Sequence, residues 1–134
     1  MKKFTPLLLA LILTVSVSFS QTTQKPAEKK QFIYVLHLVP KFLDLKNWSD
    51  ADNKAVGEHF ARLQKMKKEG TLILAGKTDN WDEKMFGIVV YEAESFEKAK
   101  EIADSDPAVA AGVMTVETFP YKVALMRGEK QNEV

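Results

Sequence analysis

Two predicted strands carry apolar side chains on both of their faces, and this limits the possible folds more than any other feature. Residues 31–39 alternate between two apolar faces, with Phe32, Tyr34, Leu36 and Leu38 on one side and Ile33, Val35 and Val39 on the other. Residues 85–91, MFGIVVY, alternate in the same way. Two helices cover only one face of a four-stranded sheet, so the second apolar face would lie exposed to water. Such exposure would forgo about 25 cal/mol of stabilisation per Å² of apolar surface, and a large exposed apolar patch marks an interface. We therefore expect a homodimer that packs sheet against sheet.

The predicted elements follow the order strand, helix, strand, strand, helix, strand, which is typical of a ferredoxin-like α+β fold. Strands are expected over residues 31–39, 71–75, 85–91 and 113–125. We expect them to form a four-stranded antiparallel sheet with two helices on one face. Pro120 interrupts the last strand, and proline is tolerated in a strand at the edge of a sheet.

The helix boundaries are marked by capping residues. Ser49 or Asp50 can cap the first helix, which ends at Gly70. Ser95 caps the second helix, which runs to about residue 104. Asp106, followed by proline, begins a short helical turn, because aspartate is a good N-cap and proline suits the first helical position.

The first 20 residues have the pattern of a secretory signal peptide. Lys2 and Lys3 precede an apolar stretch, and small residues occupy the −3 and −1 positions of a cleavage site before Gln21. From Phe4 to Phe19 there are 16 residues, whereas a membrane helix needs about 20. We therefore expect an exported protein, periplasmic or secreted, without stable membrane insertion after cleavage. It would consist of a signal peptide (1–20), a flexible leader (21–30), a folded domain (31–126) and a polar tail (127–134).

The composition excludes several kinds of site. The chain has no cysteine and only two histidines, which excludes disulfides, thiolate chemistry and Cys-ligated metals and disfavours a His-rich metal centre. Loss of Lys2 and Lys3 with the first 20 residues leaves 17 of the 19 basic residues against 18 acidic ones. Such a net charge gives no electrostatic basis for binding nucleic acid. No glycine-rich phosphate loop, GxSxG or HExxH motif occurs. We expect no cofactor, no metal and no nucleic-acid partner.

Two residues far apart in the chain, His59 and Asp106, are candidates for chemistry. On a helical wheel His59 lies close to Leu63 and faces the sheet or its edge. It is either a half-buried histidine satisfied by a hydrogen bond or a general acid–base group. Asp106 is either only a helix cap or also an acceptor that would hold the imidazole in one tautomer. The residues themselves leave these alternatives open.

Five segments, in this order and spacing, resemble the YciI-like (YCII-related) family. They are residues 58–63 (EHFARL), 69–76 (EGTLILAG), 95–99 (SFEKA), 106–112 (DPAVAAG) and 119–121 (FPY). The resemblance runs over about 95 residues, from Phe32 to Met126. It implies the dimeric α+β barrel fold and a His–Asp dyad in a pocket, which maps onto His59 and Asp106 as catalytic residues.

Three further residues are predicted to bind substrate. Arg62 could hold an anionic group through its planar fork, although such an arginine is more often a solvated helix flank. Tyr34 is a candidate pocket aromatic, with core packing as its alternative. His37 is a weaker candidate, with a core or interface position as its alternative. Lys77 stands where many relatives have proline, and it either places a positive charge at the pocket rim or is simply solvated.

We therefore expect an exported protein with a small-molecule pocket that acts as a cofactor-independent proton-transfer enzyme of the isomerase or lyase type. Lactone isomerases and dehalogenases share the barrel architecture, so the reaction class rests on analogy. A non-catalytic ligand-binding or structural dimeric module is the alternative. Haem binding, known in some barrels of this architecture, is a third. The sequence does not identify the substrate.

Overall fold

The computed structural model describes residues 29–127, so the predicted signal peptide, nearly all of the predicted leader and the tail beyond Arg127 lie outside the described residues. The helices and strands are β1 Lys30–Leu38, α1 Asp50–Lys68, β2 Leu72–Lys77, β3 Phe86–Ala93, α2 Phe96–Asp104, α3 Pro107–Ala110 and β4 Met114–Pro120. Two short 3-10 turns, Pro40–Leu43 and Leu45–Asn47, connect β1 to α1.

The four strands form one antiparallel sheet in the order β2-β3-β1-β4. This confirms the predicted ferredoxin-like α+β fold, and β4 lies at an edge as predicted. The predicted range of the last strand was wrong, because β4 ends at Pro120 and does not continue to residue 125. Proline has no backbone N–H to donate to a neighbouring strand, which suits it to the end of an edge strand.

The ends of α1 follow from local side-chain and backbone hydrogen bonds. Ser49 is the cap: its hydroxyl accepts from the N–H of Asp52 at 3.2 Å, and the Asp52 carboxylate accepts from the N–H of Ser49 at 2.9 Å. At the other end Gly70 adopts a φ of 76°, a left-handed conformation that favours glycine. The N–H of Thr71 then reaches back to the carbonyl of Met66 at 3.0 Å.

One face of the sheet, here called the inner face, packs against the helices and holds the core. The core side chains come from β1, β3, α1 and α2, and include Phe32, Tyr34, Leu36, Leu63, Met66, Val89, Tyr91, Ala99 and Ala103. The two alanines of α2 are fully buried, and the Tyr91 hydroxyl donates to the carbonyl of Ala99 at 2.6 Å. This packing fixes α2, and with it the start of α3, over the sheet.

The opposite face of the sheet, here called the outer face, is also largely apolar. The register places on it Ile33 and Val35 of β1, Leu74 of β2, Ile88 and Val90 of β3, and Phe119 of β4. Leu74 is 53% exposed and Phe119 44% exposed. The two-faced pattern is therefore confirmed, whereas the homodimer that it suggests stays a prediction. Within residues 29–127 no helix combines the length and the apolar character that crossing a membrane requires.

Candidate active site

Asp106 is placed by α3, which begins directly after it. One carboxylate oxygen, Oδ1, accepts a hydrogen bond from the N–H of Ala108 at 3.0 Å, and Pro107 occupies the first helical position. Aspartate is a strong cap, and proline has no N–H to leave unpaired there, so the Asp-Pro pair sets both the start of α3 and the direction of the carboxylate. The side chain is fully buried.

The second oxygen of this carboxylate, Oδ2, faces one residue from α1 and one from β1. Nδ1 of His59 lies 2.7 Å from Oδ2, and the Tyr34 hydroxyl donates to the same oxygen at 3.3 Å, which is long for such a bond. The structure thus brings His59, Tyr34 and Asp106 together. Asp106 serves as a helix cap through one oxygen and as an acceptor for the imidazole through the other.

The surroundings keep the Asp106 carboxyl group ionised. Burial by itself raises the pKa of a carboxyl group, but the hydrogen bond and charge of His59, the N–H of Ala108 and the charge of Arg62 outweigh it, and the pKa lies below its ordinary value. An ionised carboxylate only accepts hydrogen bonds. Nδ1 of His59 therefore carries the hydrogen of the shared bond, and Nε2 is the ring nitrogen left for a ligand.

Tyr34 remains a hydrogen-bond donor for a similar reason. Burial, together with the negative charge of Asp106, raises the pKa of the Tyr34 phenol well above its ordinary value. The hydroxyl therefore keeps its proton at any physiological pH. Tyr34 is 1% exposed and is absent from the described lining of the neighbouring cavity, so its contact is with Asp106.

A cavity of about 450 Å³ lies between α1 and the inner face, at the end of the sheet where β1 and β2 finish and β3 and β4 begin. This volume lies within the range of about 300–1,000 Å³ that small-molecule sites occupy. Its walls are mainly apolar and include Leu36, Leu38, Val56, Leu63, Val89 and Met114. His59 belongs to the lining, and its side chain is 13% exposed. An imidazole held by a buried carboxylate at the wall of an apolar cavity can exchange a proton with a bound molecule.

Gly87 of β3 leaves room in this cavity. It pairs with Leu36 of β1 on one side and with Lys77 of β2 on the other. A Cβ atom at Gly87 would lie 3.7 Å from the Cβ of Leu36 and 3.9 Å from that of Lys77, so all three positions share the inner face. Gly87 was not among the predicted site residues, although a glycine inside an apolar strand pattern is a known signal of close approach by another group.

Two of the predicted substrate-binding residues lie elsewhere. The Arg62 guanidinium donates to the carbonyl of Ser105 at 2.6 Å, to that of Ile102 at 2.9 Å and to the Ser105 hydroxyl at 3.1 Å. It thereby ties α1 to the end of α2, one residue before Asp106. His37 is exposed on the outer face, where its ring lies 6.3 Å from that of Phe86. Neither residue is part of the described cavity lining.

The described residues provide no ready metal site. Among residues 29–127 no group of three or more His, Asp or Glu side chains is arranged to hold a metal ion. Every buried side-chain nitrogen or oxygen in this part of the chain has a hydrogen-bond partner.

Comparison with known proteins relates the sequence to one family. Residues 24–122 match the family described as the YCII-related domain. Protein YciI of Escherichia coli O6:H1 is 43% identical over 72 residues, and the alignment covers 48% of this chain and 74% of that protein. Protein YciI of Shigella flexneri is similar to the same extent, with 43% identity over 72 residues.

A solved structure relates the fold to that of an enzyme. The 5-chloro-2-hydroxyhydroquinone dehydrochlorinase (TftG) of Burkholderia phenoliruptrix AC1100, in complex with 2,5-dihydroxybenzoquinone, is 21% identical to this chain. The TM-score is 0.51, and the alignment covers 69% of this chain and 93% of that one. At this level of identity the likeness shows a shared fold.

Proposed function

The chain belongs to the YCII-related domain family, and from this premise we propose that it is a small-molecule enzyme that transfers protons without a cofactor. The observation that carries the proposal is the 2.7 Å contact between Nδ1 of His59 and Oδ2 of Asp106, made by a histidine that also lines an apolar cavity. His59 is the general base and acid. Asp106 orients its ring and fixes its tautomer.

In the proposed step, Nε2 of His59 accepts a proton from a carbon atom next to a carbonyl group of the substrate. The electron pair of the broken C–H bond moves towards the carbonyl oxygen and forms an enolate. If the imidazolium returns the proton to a different carbon, the product is an isomer. If the electron pair instead expels an anion from the neighbouring carbon, a C=C bond forms and the reaction is an elimination. In either reaction the Asp106 carboxylate holds the Nδ1 hydrogen of His59, so that Nε2 is the atom that exchanges the proton.

The mainly apolar cavity supports a small organic substrate. The dehydrochlorinase with a related fold acts on a chlorinated hydroxyhydroquinone and is seen with a dihydroxybenzoquinone, which makes hydroxyquinones the first compounds to test. The alternative is a binding module in which the His59–Asp106 contact has only a structural role. The cavity fits either function, so proton transfer itself must be measured.

The test is hydrogen exchange between solvent and carbon acids. The protein is incubated in D₂O with 2,5-dihydroxybenzoquinone, an enol lactone and a 2-oxo acid, and deuterium incorporation is followed by proton NMR. General acid–base groups contribute about 10²–10⁴-fold to rates, so His59→Ala should lower the exchange rate at least about 100-fold, and added imidazole should restore part of it. Gln64→Ala, an exposed change on the same helix, is the control.

Each outcome has a clear meaning. Exchange that His59→Ala leaves unchanged removes His59 from catalysis. If the unaltered protein exchanges none of the compounds but binds one of them, the binding-module alternative is favoured.

We also propose that the protein is a homodimer and that it is exported to the periplasm or secreted. The dimer is supported by the apolar outer face, and export by the charge and hydropathy pattern of residues 1–20. Export is tested by expressing the full chain with a C-terminal tag, fractionating the cells and sequencing the N-terminus. The expected result is a periplasmic or extracellular product that begins at Gln21. A cytoplasmic product that begins at Met1 would contradict it.

A further inference from the structure

We propose that Lys77 makes the cavity selective for molecules that join an apolar body to one anionic oxygen group, such as a carboxylate. The inference rests on the proposed function in taking this cavity as the substrate site.

The backbone register places Lys77 on the cavity side of the sheet. Lys77 is the last residue of β2, and it pairs with Gly87, which pairs in turn with Leu36. Because a Cβ at Gly87 would lie between the Cβ atoms of Leu36 and Lys77, the lysine side chain leaves the same face as Leu36. The missing side chain at Gly87 opens the space between them. An apolar body over Gly87 would therefore lie beside the aliphatic part of Lys77.

The charge of Lys77 has no counterpart in the cavity wall. Among the described residues that line the cavity, only His59 and Lys77 have ionisable side chains, and none is acidic. The ammonium group of Lys77 donates to the carbonyl of Thr78 at 3.2 Å, and within residues 29–127 it forms no ion pair with a carboxylate. Lys77 is exposed, so water solvates its ammonium group until an anionic ligand replaces that water with a charge-assisted hydrogen bond. Lys77 therefore lies at the cavity rim, with its ammonium group free of carboxylates among the described residues and open to solvent.

The test compares a matched pair of ligands, 2-naphthoate and 2-naphthamide, which have similar shapes but differ in charge. Dissociation constants are measured by isothermal titration calorimetry at low and high salt for the unaltered protein and for Lys77→Met, Lys77→Arg and Lys84→Met. Lys84 is an exposed lysine in the connection between β2 and β3, but it is not part of the described cavity lining. Lys84→Met therefore controls for the loss of one positive charge.

The unaltered protein should prefer naphthoate by about fivefold, the size of one exposed ion pair, and the preference should shrink at high salt. Lys77→Met should abolish the preference without weakening naphthamide, whereas Lys77→Arg and Lys84→Met should keep it. Equal affinities for the two ligands, equal losses in Lys77→Met and Lys84→Met, or no binding of either ligand would each overturn the inference.

The binding experiment is independent of turnover, so the two proposals can fail separately. If Lys77 selects naphthoate but His59→Ala leaves hydrogen exchange unchanged, the anion site stands and the proton-transfer function falls. If His59→Ala abolishes exchange but Lys77→Met leaves the preference intact, the function stands and the role of Lys77 falls.

Discussion

Nδ1 of His59 lies 2.7 Å from Oδ2 of Asp106, although the two residues are 47 positions apart in the chain. The same carboxylate caps α3 through Oδ1. The start of a four-residue helix and the orientation of the imidazole therefore depend on one side chain. A change at Asp106 should therefore affect both stability and catalysis. The pH dependence of the stability change distinguishes loss of the ionised carboxylate from loss of the helix cap alone.

Asp106→Asn should lower the free energy of unfolding by about 1–3 kcal/mol at pH 7, the usual effect of disturbing a buried hydrogen bond to a charged group. Asparagine caps helices as well as aspartate does, so the loss reports on the contacts of Oδ2 with His59 and Tyr34. Because the pKa of Asp106 is lowered in the folded protein, its ionisation stabilises the fold above the ordinary carboxyl pKa. This stabilisation is lost as the pH falls through the folded-state value.

The measurement is urea unfolding of both proteins from pH 7 to pH 3. The difference between them should shrink as the pH falls below about 4, the ordinary aspartate range. Asp104→Asn, which alters an exposed ion pair with Lys100, should change stability by less than about 1 kcal/mol. A difference at Asp106 that does not vary with pH would contradict the assignment.

Arg62 is expected to act as a positioning residue. Arg62→Met removes three hydrogen bonds to the end of α2 and should lower the free energy of unfolding by about 1–2 kcal/mol. Arg62→Met should also slow deuterium incorporation into the test compounds. Asp106 directly follows Ser105, so loosening Ser105 would disturb the carboxylate that orients His59. Arg62→Lys should recover only part of both losses, since an ammonium group lacks the planar fork.

Lys65→Met is the matched control for Arg62. Lys65 lies on the same helix, and its contact with Glu69 at 3.7 Å is solvent-exposed, so its removal should change stability by less than about 1 kcal/mol. Thermal unfolding and the D₂O exchange assay provide the two measurements. Loss of stability in Arg62→Met without any loss of exchange would leave Arg62 a purely structural role.

Gly87→Val should narrow the cavity beside Leu36 and Lys77 without unfolding the protein. The nearest atoms to a Cβ at this position lie 3.6–3.9 Å away, which is ordinary contact, and valine favours strands. Affinity for both naphthoate and naphthamide should fall at least about tenfold, the effect of roughly 1.4 kcal/mol, while the melting temperature stays equal or rises. Gly87→Ala should cause a smaller loss. Unchanged binding in the valine variant would place the ligand elsewhere.

Val35→Lys tests the proposed dimer. Val35 lies on the outer face, at the centre of β1, and it is not part of the described cavity lining. We expect the unaltered protein to sediment as a dimer at micromolar concentration and Val35→Lys to sediment as a folded monomer. The new ammonium group has Glu117 opposite it on β4, but burying the charged pair between two sheets costs more in desolvation than burying valine. Gln64→Lys, which adds the same charge on α1, should remain dimeric. A monomeric unaltered protein would refute the dimer.

Much of the fold could be predicted from local patterns. The two-residue period of β1 and β3 predicted which side chains share a face, and Ser49, Gly70 and Ser95 predicted helix ends because capping depends on neighbouring backbone groups. The end of β4 could not be predicted in the same way, because how far an edge strand stays paired near Pro120 depends on the neighbouring strand, β1. The roles of Arg62 and Tyr34 could not be predicted from local patterns, because their hydrogen-bond partners lie far away in the chain.

The sequence by itself determined the order of the elements, their apolar faces and the capping tendency of Asp106, because these depend on residues within a few positions of one another. Only the tertiary structure decided that Oδ2 of Asp106 meets His59 and Tyr34, and that Gly87 opens a cavity beside Lys77. Those relationships arise where strands and helices distant in the chain pack together, and a one-residue change of register would point the side chains to the opposite face.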